Sequence, residues 1–589
     1  MWLLLLVCLV VAVPPILIRI SKPDVTDLDE AMTLTTSIQT WQRRHAHADT
    51  IGVFEQMVPY RNNRALYGTP PASTWLQQFV FWIYPLENVQ PVAPSVDETQ
   101  ALVLRGRLLA AMMALITVVA VFWAGYSIGG TKTAVFATLI CIANPIFIYH
   151  ARVASNAMLH SGWAMMSIAA ALWAIRPLRP TPSVERQFIG WVTCGLMFGL
   201  AMLTSGFITI GTVAAPILLI LIMCPHRISH LLGLLAALLI ALLMCLPWAI
   251  YAYDNDANVT TIWFNQMIPA EPVTLEAMWG QATARGIVLL IALAPWTLWL
   301  IGAIVQPFST AQSSSTRMRL FIGLGWLAFV SLLLLTAPRT GQLKDLLPAL
   351  PVFAVAVGQL FSYYDNRAAE GRFIRFWRFL RWPQLAIVMF LSITVPICLY
   401  RQELLIEQGW IDQVISRNIG LTLAIALGSV MLILSALSMR WAMKHFPGRA
   451  LACWSFWTVA MLTVIAIPLT ESPITQNASR GYAKQITDII GGRNLFWLQR
   501  PSIDPEEPDA ALQLYTGRIM PPIAPKQIDQ AMDEHQEFYV LGRSSADIPA
   551  TTRVLVKNFE EVRLSLWKYQ RTVAAPPPPE VKPPKVTAP

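Results

Sequence analysis

Residues 1–30 read MWLLLLVCLVVAVPPILIRISKPDVTDLDE, an apolar run that meets a proline pair and then turns abruptly to charge. At about 1.5 Å of rise per residue, the run over 1–20 is long enough to cross the hydrocarbon core of a bilayer. It has neither a basic segment ahead of it nor a small-x-small cleavage site behind it, which predicts a retained helix rather than a removed leader. The rest of the chain repeats the theme. Of its 589 residues 55% are hydrophobic and 13% charged, and the mean hydropathy is +0.51. That apolar surface exceeds what one water-soluble core could bury, so lipid is the solvent for much of it. The formal charge of +9 is spread over short loops between apolar runs, which excludes nucleic acid as a partner and makes the basic residues topology signals.

Apolar windows predict about thirteen transmembrane helices, near residues 1–20, 105–127, 131–149, 157–175, 188–203, 206–223, 231–251, 285–305, 319–336, 346–362, 383–400, 417–438 and 451–470. Alternate loops hold the basic residues, from Lys132 through Arg176, Arg227, Arg317 and Arg372 to Arg440, Lys444 and Arg449; the opposite set holds Asp254, Asp256, Glu403 and Glu407. The basic set is therefore expected on the cytoplasmic side and the C-terminus outside. The seven cysteines lie in or beside apolar stretches with no CxxC pair, so neither a disulfide framework nor a zinc site is expected.

The fold class that follows is an α-helical polytopic membrane protein with a small C-terminal α/β extracytoplasmic domain. Its expected parts are a membrane domain over 1–470 that includes a first external loop at 21–104, an α/β domain over 471–572 and a proline-rich tail over 573–589. In the α/β part, NLFWLQ, EFYVLG and TRVLVKNF read as strands, and ASRGYAKQITDII and DAALQLYTG as helices. The tail, AAPPPPEVKPPKVTAP, is too rich in proline to pack and reads as an extended spacer that could reach an envelope protein partner.

Chemistry is expected in the first external loop. Asp29 and Glu30 open an amphipathic helical pattern just beyond the first span. A carboxylate there can take a proton from an acceptor hydroxyl or amine; an acidic first turn equally serves a helix as cap and dipole partner. Farther on, Arg61 and Arg64 precede an aromatic stretch (Trp75, Phe79, Phe81, Trp82, Tyr84) suited to the membrane interface. Either arginine can bind a headgroup phosphate or remain a solvated loop charge. His45, His47 and Asp49 lack a third ligand at a fixed spacing and read as structural or solvated.

The order of a first helix, a DE pair, a PY…PP…W segment, RLLAAMMALITVVAVFWAGYSIGG and FATLICIANPIFIYHARVASNAML resembles the GT-C superfamily of membrane glycosyltransferases. The nearer likeness is to the aminoarabinose transferase and protein O-mannosyltransferase branch, with AMLTSGFITIGTVAAPILL, LPWAIYAYDND, WFNQMI and PRTGQLKDLLPALP following in the same order over residues 1–360. The resemblance implies a polyprenyl-phosphate sugar donor, a lipid, glycan or protein acceptor, and a bacterial inner membrane location. It also implies Asp29 as base with Glu30 beside it, and Arg107, at the start of the second helix near the acidic pair, as a cation for the donor phosphate together with Arg339 and Lys344. Arg152, beside a helix end, joins Arg61 and Arg64 as a further candidate cation for that phosphate. No cofactor is required, and a divalent metal is compatible. The chain departs from the branch at three places: LYGTPP puts Thr69 where a lysine stands, ARVASNAML puts Asn156 and Ala157 where an aspartate stands, and LTSG puts Ser205 where LTKG is usual. Those losses open the alternative of a catalytically degenerate relative that binds lipid or assembles a cell-envelope complex.

Overall fold

The computed structural model describes residues 1–21, 25, 27–46, 52–84, 96–175, 183–214, 216–218, 221, 227–267, 280, 283, 287, 290, 292–305, 347–370, 375–400, 417–469, 478–498, 510–535, 537–542, 553–559 and 564–570. Contacts divide the chain into two compact units, Met1–Asn88 with Ser95–Asn477, and Val89–Pro94 with Ala478–Pro589.

The first unit is helical. In chain order it runs α1 (Trp2–Leu17), α2 (Leu28–Ala46), α3 (Val53–Gln56), the hairpin β1 (Tyr60–Arg61) and β2 (Arg64–Ala65), then α4 (Ala72–Ile83), α5 (Val96–Ile142), α6 (Pro145–Ala151), α7 (Asn156–Ile175) and α8 (Val184–Ser205). A π-helical turn (Ile210–Ala214) precedes α9 (Arg227–Asn255), α10 (Val259–Met267), α11 (Thr297–Val305), α12 (Ala349–Ala369), α13 (Arg375–Tyr400), α14 (Arg417–Met443) and α15 (Pro447–Leu469). Among the described residues six helices are long and apolar enough to cross a membrane, and α1 is a shorter apolar helix.

The expected spans 105–127 and 131–149 part where the sequence placed the break: α5 is two helices meeting at Gly130, whose φ of 77° an L side chain rarely adopts. The second of them ends earlier than expected, at Ile142. Past its end, Asn144 takes an extended conformation ahead of Pro145 and accepts the amide of Phe147, starting α6 as a separate short helix. The apolar run is continuous in sequence; the cap and the proline cut it. The π-helical turn and Gly206 likewise interrupt the window expected over 206–223, while the span expected over 319–336 lies outside the described residues.

Packing within this unit follows lipid logic, where small residues and internal hydrogen bonds bind helices that water would otherwise drive together. Thr133 of α5 bonds Gln359 of α12 at 2.9 Å. Ser392 of α13 and Ser435 of α14 share a 2.7 Å bond, and the indole of Trp457 of α15 donates to Ser392 at 2.7 Å. Such bonds hold three helices in register where no water can compete.

The second unit is α16 (Ala478–Ile490), β3 (Asn494–Leu498), α17 (Ala510–Thr516), β4 (Pro522–Ile523), α18 (Ile528–Glu534), β5 (Glu537–Gly542), β6 (Arg553–Phe559) and β7 (Leu564–Gln570). Its sheet has the order β4-β3-β5-β7-β6, with β3 parallel to β4 and β5, and β7 antiparallel to β5 and β6. Phe538 and Val540 belong to one buried cluster with Ile528 of α18; Tyr539 and Leu541 belong to the other with Ile486 of α16. EFYVLG is apolar without alternation because helices cover both faces of its strand. The three expected strands and two expected helices are all present; β4, α18 and β7 are additional.

Candidate active site at the start of α2

The site grows from the end of α1. Pro14 and Pro15 sit inside that helix, Ile18 turns extended, and Arg19 adopts a positive φ of 52°. The Pro14 carbonyl accepts the amide of Ile18 and that of Leu17 the amide of Ile20, and other carbonyls at this helix end turn to side-chain donors. Two arginines from elsewhere supply donors: Arg152, just past α6, reaches the Pro15 carbonyl at 2.9 Å, and Arg107 of α5 reaches that of Ile20 at 2.9 Å.

Helix α2 then begins on a cap. The Asp27 carboxylate accepts the amide of Asp29 at 2.8 Å, and its carbonyl accepts that of Ala31 at 3.1 Å. The capping that an acidic first turn suggested for Asp29 and Glu30 thus falls to Asp27. Its signal was a Thr-Asp pair just ahead of the helical pattern.

Glu30 has a different task. It is 1% exposed, and Arg107 is 2% exposed. The Arg107 fork meets it twice, Nε to Oε1 at 2.7 Å and Nη2 to Oε2 at 2.8 Å, and the backbone amide of Ala154 donates to Oε1 at 3.0 Å. A charge this deep survives only if paired and hydrogen-bonded, and a bidentate fork is the strongest such pair. The knot joins the end of α1, the start of α2, α5, and the loop between α6 and α7. Gly106 of α5 faces α2 here: a Cβ on it would stand 2.4 Å from Cδ2 of Leu34 and 3.2 Å from Cβ of Ala154, so any side chain would have to push Leu34 aside.

Asp29 comes out of the same turn half-buried. Tyr149 of α6 lies within electrostatic reach of Asp27, Glu30 and Arg107; sequence alone offered no signal for it. Burial first, and the Arg107 charge second, pull the Arg152 guanidinium down to about 10. It therefore remains a cation at neutral pH. Next to the knot, Ser155 ends the loop and Asn156 opens α7; the Ser155 hydroxyl and the Asn156 side-chain oxygen are buried with no hydrogen-bond partner among the described residues.

The expected arginines separate. Arg61 is buried and Arg64 exposed, at either side of the Asn62-Asn63 turn, where both asparagines take positive φ. The hairpin is clasped by α2, with Gln39 accepting the Asn62 amide at 2.7 Å and Thr40 that of Tyr60 at 2.9 Å. Gln39 lies roughly 14 Å along the helix from Glu30, so the backbone of the hairpin meets α2 about two and a half turns beyond the knot. Arg339 and Lys344 lie outside the described residues. His45 bonds the Trp41 carbonyl one turn back, and among the described residues no cluster of three or more His, Cys, Asp or Glu side chains could hold a metal.

Helix α4 covers the site. Its buried face carries Ser73, Thr74, Gln77 and Gln78, while Phe79, Trp82 and Tyr84 are exposed. Gln77 donates to the Gly106 carbonyl at 3.3 Å, so α4 meets α5 beside Arg107.

The fold has a known counterpart. Superposition on ArnT from Cupriavidus metallidurans bound to undecaprenyl phosphate gives a TM-score of 0.65 over 98% of both chains, at 15% identity. The apo state of that protein gives 0.64 over the same coverage. The chain has the GT-C fold. No family model matches it. The undecaprenyl phosphate-alpha-4-amino-4-deoxy-L-arabinose arabinosyl transferase of Pseudomonas paraeruginosa (strain DSM 24068 / PA7) is 27% identical over 219 residues, 36% of this chain and 37% of that protein. The protein of that name from Pseudomonas aeruginosa (strain LESB58) is 34% identical over 108 residues, 17% of this chain and 18% of that one. The matches thus span little more than a third of the curated relatives' length. The likeness read from the ordered segments therefore holds for the fold, and parts of the sequence are similar to aminoarabinose transferases.

Proposed function

We propose that the chain is a membrane glycosyltransferase that moves a sugar from a polyprenyl-phosphate donor to an acceptor on the extracytoplasmic face of the bacterial inner membrane. The observation that carries this reading is the knot itself: Glu30 is committed to Arg107 and Ala154, and holds the neighbouring Asp29 half-buried in the first turn of α2. The GT-C fold and the partial likeness to transferases named for undecaprenyl phosphate-linked aminoarabinose support the donor class.

In the proposed displacement the acceptor oxygen or nitrogen attacks the anomeric carbon, its proton passes to Asp29, and the bond to the lipid phosphate breaks with the electron pair leaving on oxygen. The configuration inverts. Arg107 acts through Glu30 as a positioning residue, because its charge is already balanced there. Arg152, with Arg339 and Lys344, supplies positive charge for the departing phosphate, and such stabilisation contributes much of the rate in reactions of this kind. The displacement requires no cofactor.

A second reading is the degenerate relative that binds lipid without turnover. Asn156 and Ala157, neutral where the branch has an aspartate, favour it. Both readings meet one experiment. The full chain in proteoliposomes is given labelled undecaprenyl phosphate-linked aminoarabinose and an envelope extract as acceptor source. Transfer by the wild type, reduced about 10²–10⁴-fold in Asp29→Asn with unchanged thermal stability, fits the enzyme; full activity in the variant removes Asp29 from its role. Binding of undecaprenyl phosphate with no turnover of the donor supports the second reading.

A further inference from the structure

A second concentration of charge lies far from the Glu30 knot in sequence, at the ends of α13, α14 and α15. Arg440, Lys444 and Arg449 are exposed there. Among the described residues none of the three meets a carboxylate. The acids of that region are spent elsewhere: Asp365 pairs with Lys132 at 2.7 Å and accepts the amide of Gly448 at 3.3 Å, and Glu370 pairs with Arg367 at 3.5 Å.

The shape of the patch is built rather than incidental. Arg449 stands 4.5 Å from the centre of the Trp441 ring and 5.0 Å from that of Phe446, and Arg440 stands 5.7 Å from the same Trp441 ring. Two guanidiniums therefore share one indole. Repulsion between them grows where the dielectric falls toward lipid, unless an anion joins them. The turn that carries Lys444 and Phe446 is fixed from behind. Arg381 of α13, 8% exposed, donates to the Ala442 carbonyl at 2.8 Å and to Nδ1 of His445 at 3.2 Å. An arginine only donates, so His445 accepts at Nδ1 and is neutral; burial, then Arg381 and Arg378, push its imidazole down. This bracing holds His445 at a φ of 60°, a conformation costly for a side chain other than glycine. Nε of Arg381 is itself buried without a hydrogen-bond partner among the described residues.

Apolar surface adjoins the charge. On α13, Phe379 is 74% and Phe390 65% exposed, with Trp382 at 49%. Ile433 and Met439 continue the exposed surface on α14, and α14 lies between α13 and α15. Aromatic rings at the edge of an apolar face mark the headgroup level of a bilayer, and basic pockets between helix ends suit anionic headgroups.

We propose that the ends of α13, α14 and α15 form a binding site for an anionic phospholipid, whose phosphate is held by Arg440, Lys444 and Arg449 and whose acyl chains lie along the exposed faces of α13 and α14. The arginines grip the phosphate through planar forks and the lysine adds a point charge. Charge complementarity selects the occupant: a zwitterionic headgroup brings its own cation to the patch and gains less.

The test uses the full chain in nanodiscs of equal phosphatidylglycerol and phosphatidylcholine, released into mild detergent, with retained lipid counted by native mass spectrometry. The wild type retains phosphatidylglycerol in clear excess. The variant Arg440→Gln/Lys444→Gln/Arg449→Gln loses the excess, at about fivefold per neutralised charge, while Arg440→Lys/Lys444→Arg/Arg449→Lys keeps it. Equal retention of both lipids by the wild type, or an undiminished excess in the glutamine variant, overturns the proposal. So does displacement of the lipid by millimolar inorganic phosphate, which would mean that the acyl chains contribute nothing. Should the glutamine variant fail to fold, wild type at about 1 M salt decides, where the screening length is about 3 Å: an excess that survives overturns the site.

Discussion

Arg107 and Glu30 show how burial decides a residue's work. Adjacent carboxylates in the sequence, Asp29 and Glu30 have equal claims to proton transfer; the structure gives Glu30 two bonds from one guanidinium and one from a backbone amide. Removing one partner strands the other as an uncompensated buried charge. Glu30→Leu and Arg107→Met are each expected to cost about 3–5 kcal/mol, read as a loss of thermal stability in detergent. The double variant Glu30→Leu/Arg107→Met should lose less than the sum, because no lone charge remains. Two single variants within 1 kcal/mol of wild type would contradict the pairing. Asp29 differs: its substitution by Asn leaves the knot intact, so its effect is expected on turnover and not on stability.

At the scale of elements, α2 is positioned by its two ends and by one close approach. The Asp27 cap is worth about 1 kcal/mol, so Asp27→Ala should lower stability by that amount and Asp27→Ser should restore most of it, measured in chemical unfolding of the purified protein. Gly106 of α5 faces Leu34 of α2. Gly106→Val drives a side chain into Leu34 and Ala154, with an expected cost of about 1–3 kcal/mol. It also displaces Asp29 along with α2, so transfer should fall more steeply than stability. Preserved turnover in Gly106→Val would show that α2 tolerates displacement.

Across the whole molecule, two cores of different solvent logic share one chain. The first unit turns apolar faces outward along α9, α13 and α14 and satisfies its polar groups internally. The second buries its central strands on both faces, with Trp567 of β7 1% exposed between β5 and β6, while Val554 and Leu555 of the edge strand β6 stay exposed. Trp567→Ala should cost about 3–5 kcal/mol. Its signature is faster amide exchange in β3, β5 and β7 with α5 and α7 unchanged; equal loosening of α5 would mean that the units do not melt separately.

Much of this was legible in sequence because it depends on local composition. Hydropathy alone separates lipid-facing helices from water-facing segments, so the membrane unit, the α/β unit and most of its strands follow from windows of residues near one another. The start of α2 at the DE pair followed from helical periodicity in the same way. What tertiary structure alone decided depends on groups far apart in the chain. Arg107 reaches Glu30 across 77 positions and Ala154 reaches it across 124, and no local pattern tells a buried partner from a snorkelling charge. The same holds for Arg152, which bonds the Pro15 carbonyl at the end of α1 from 137 positions away. Sequence determined which segments enter the membrane because transfer to lipid sums over neighbours. Only the folded chain decided which of two adjacent carboxylates is locked away, because that depends on which distant charge arrives beside it.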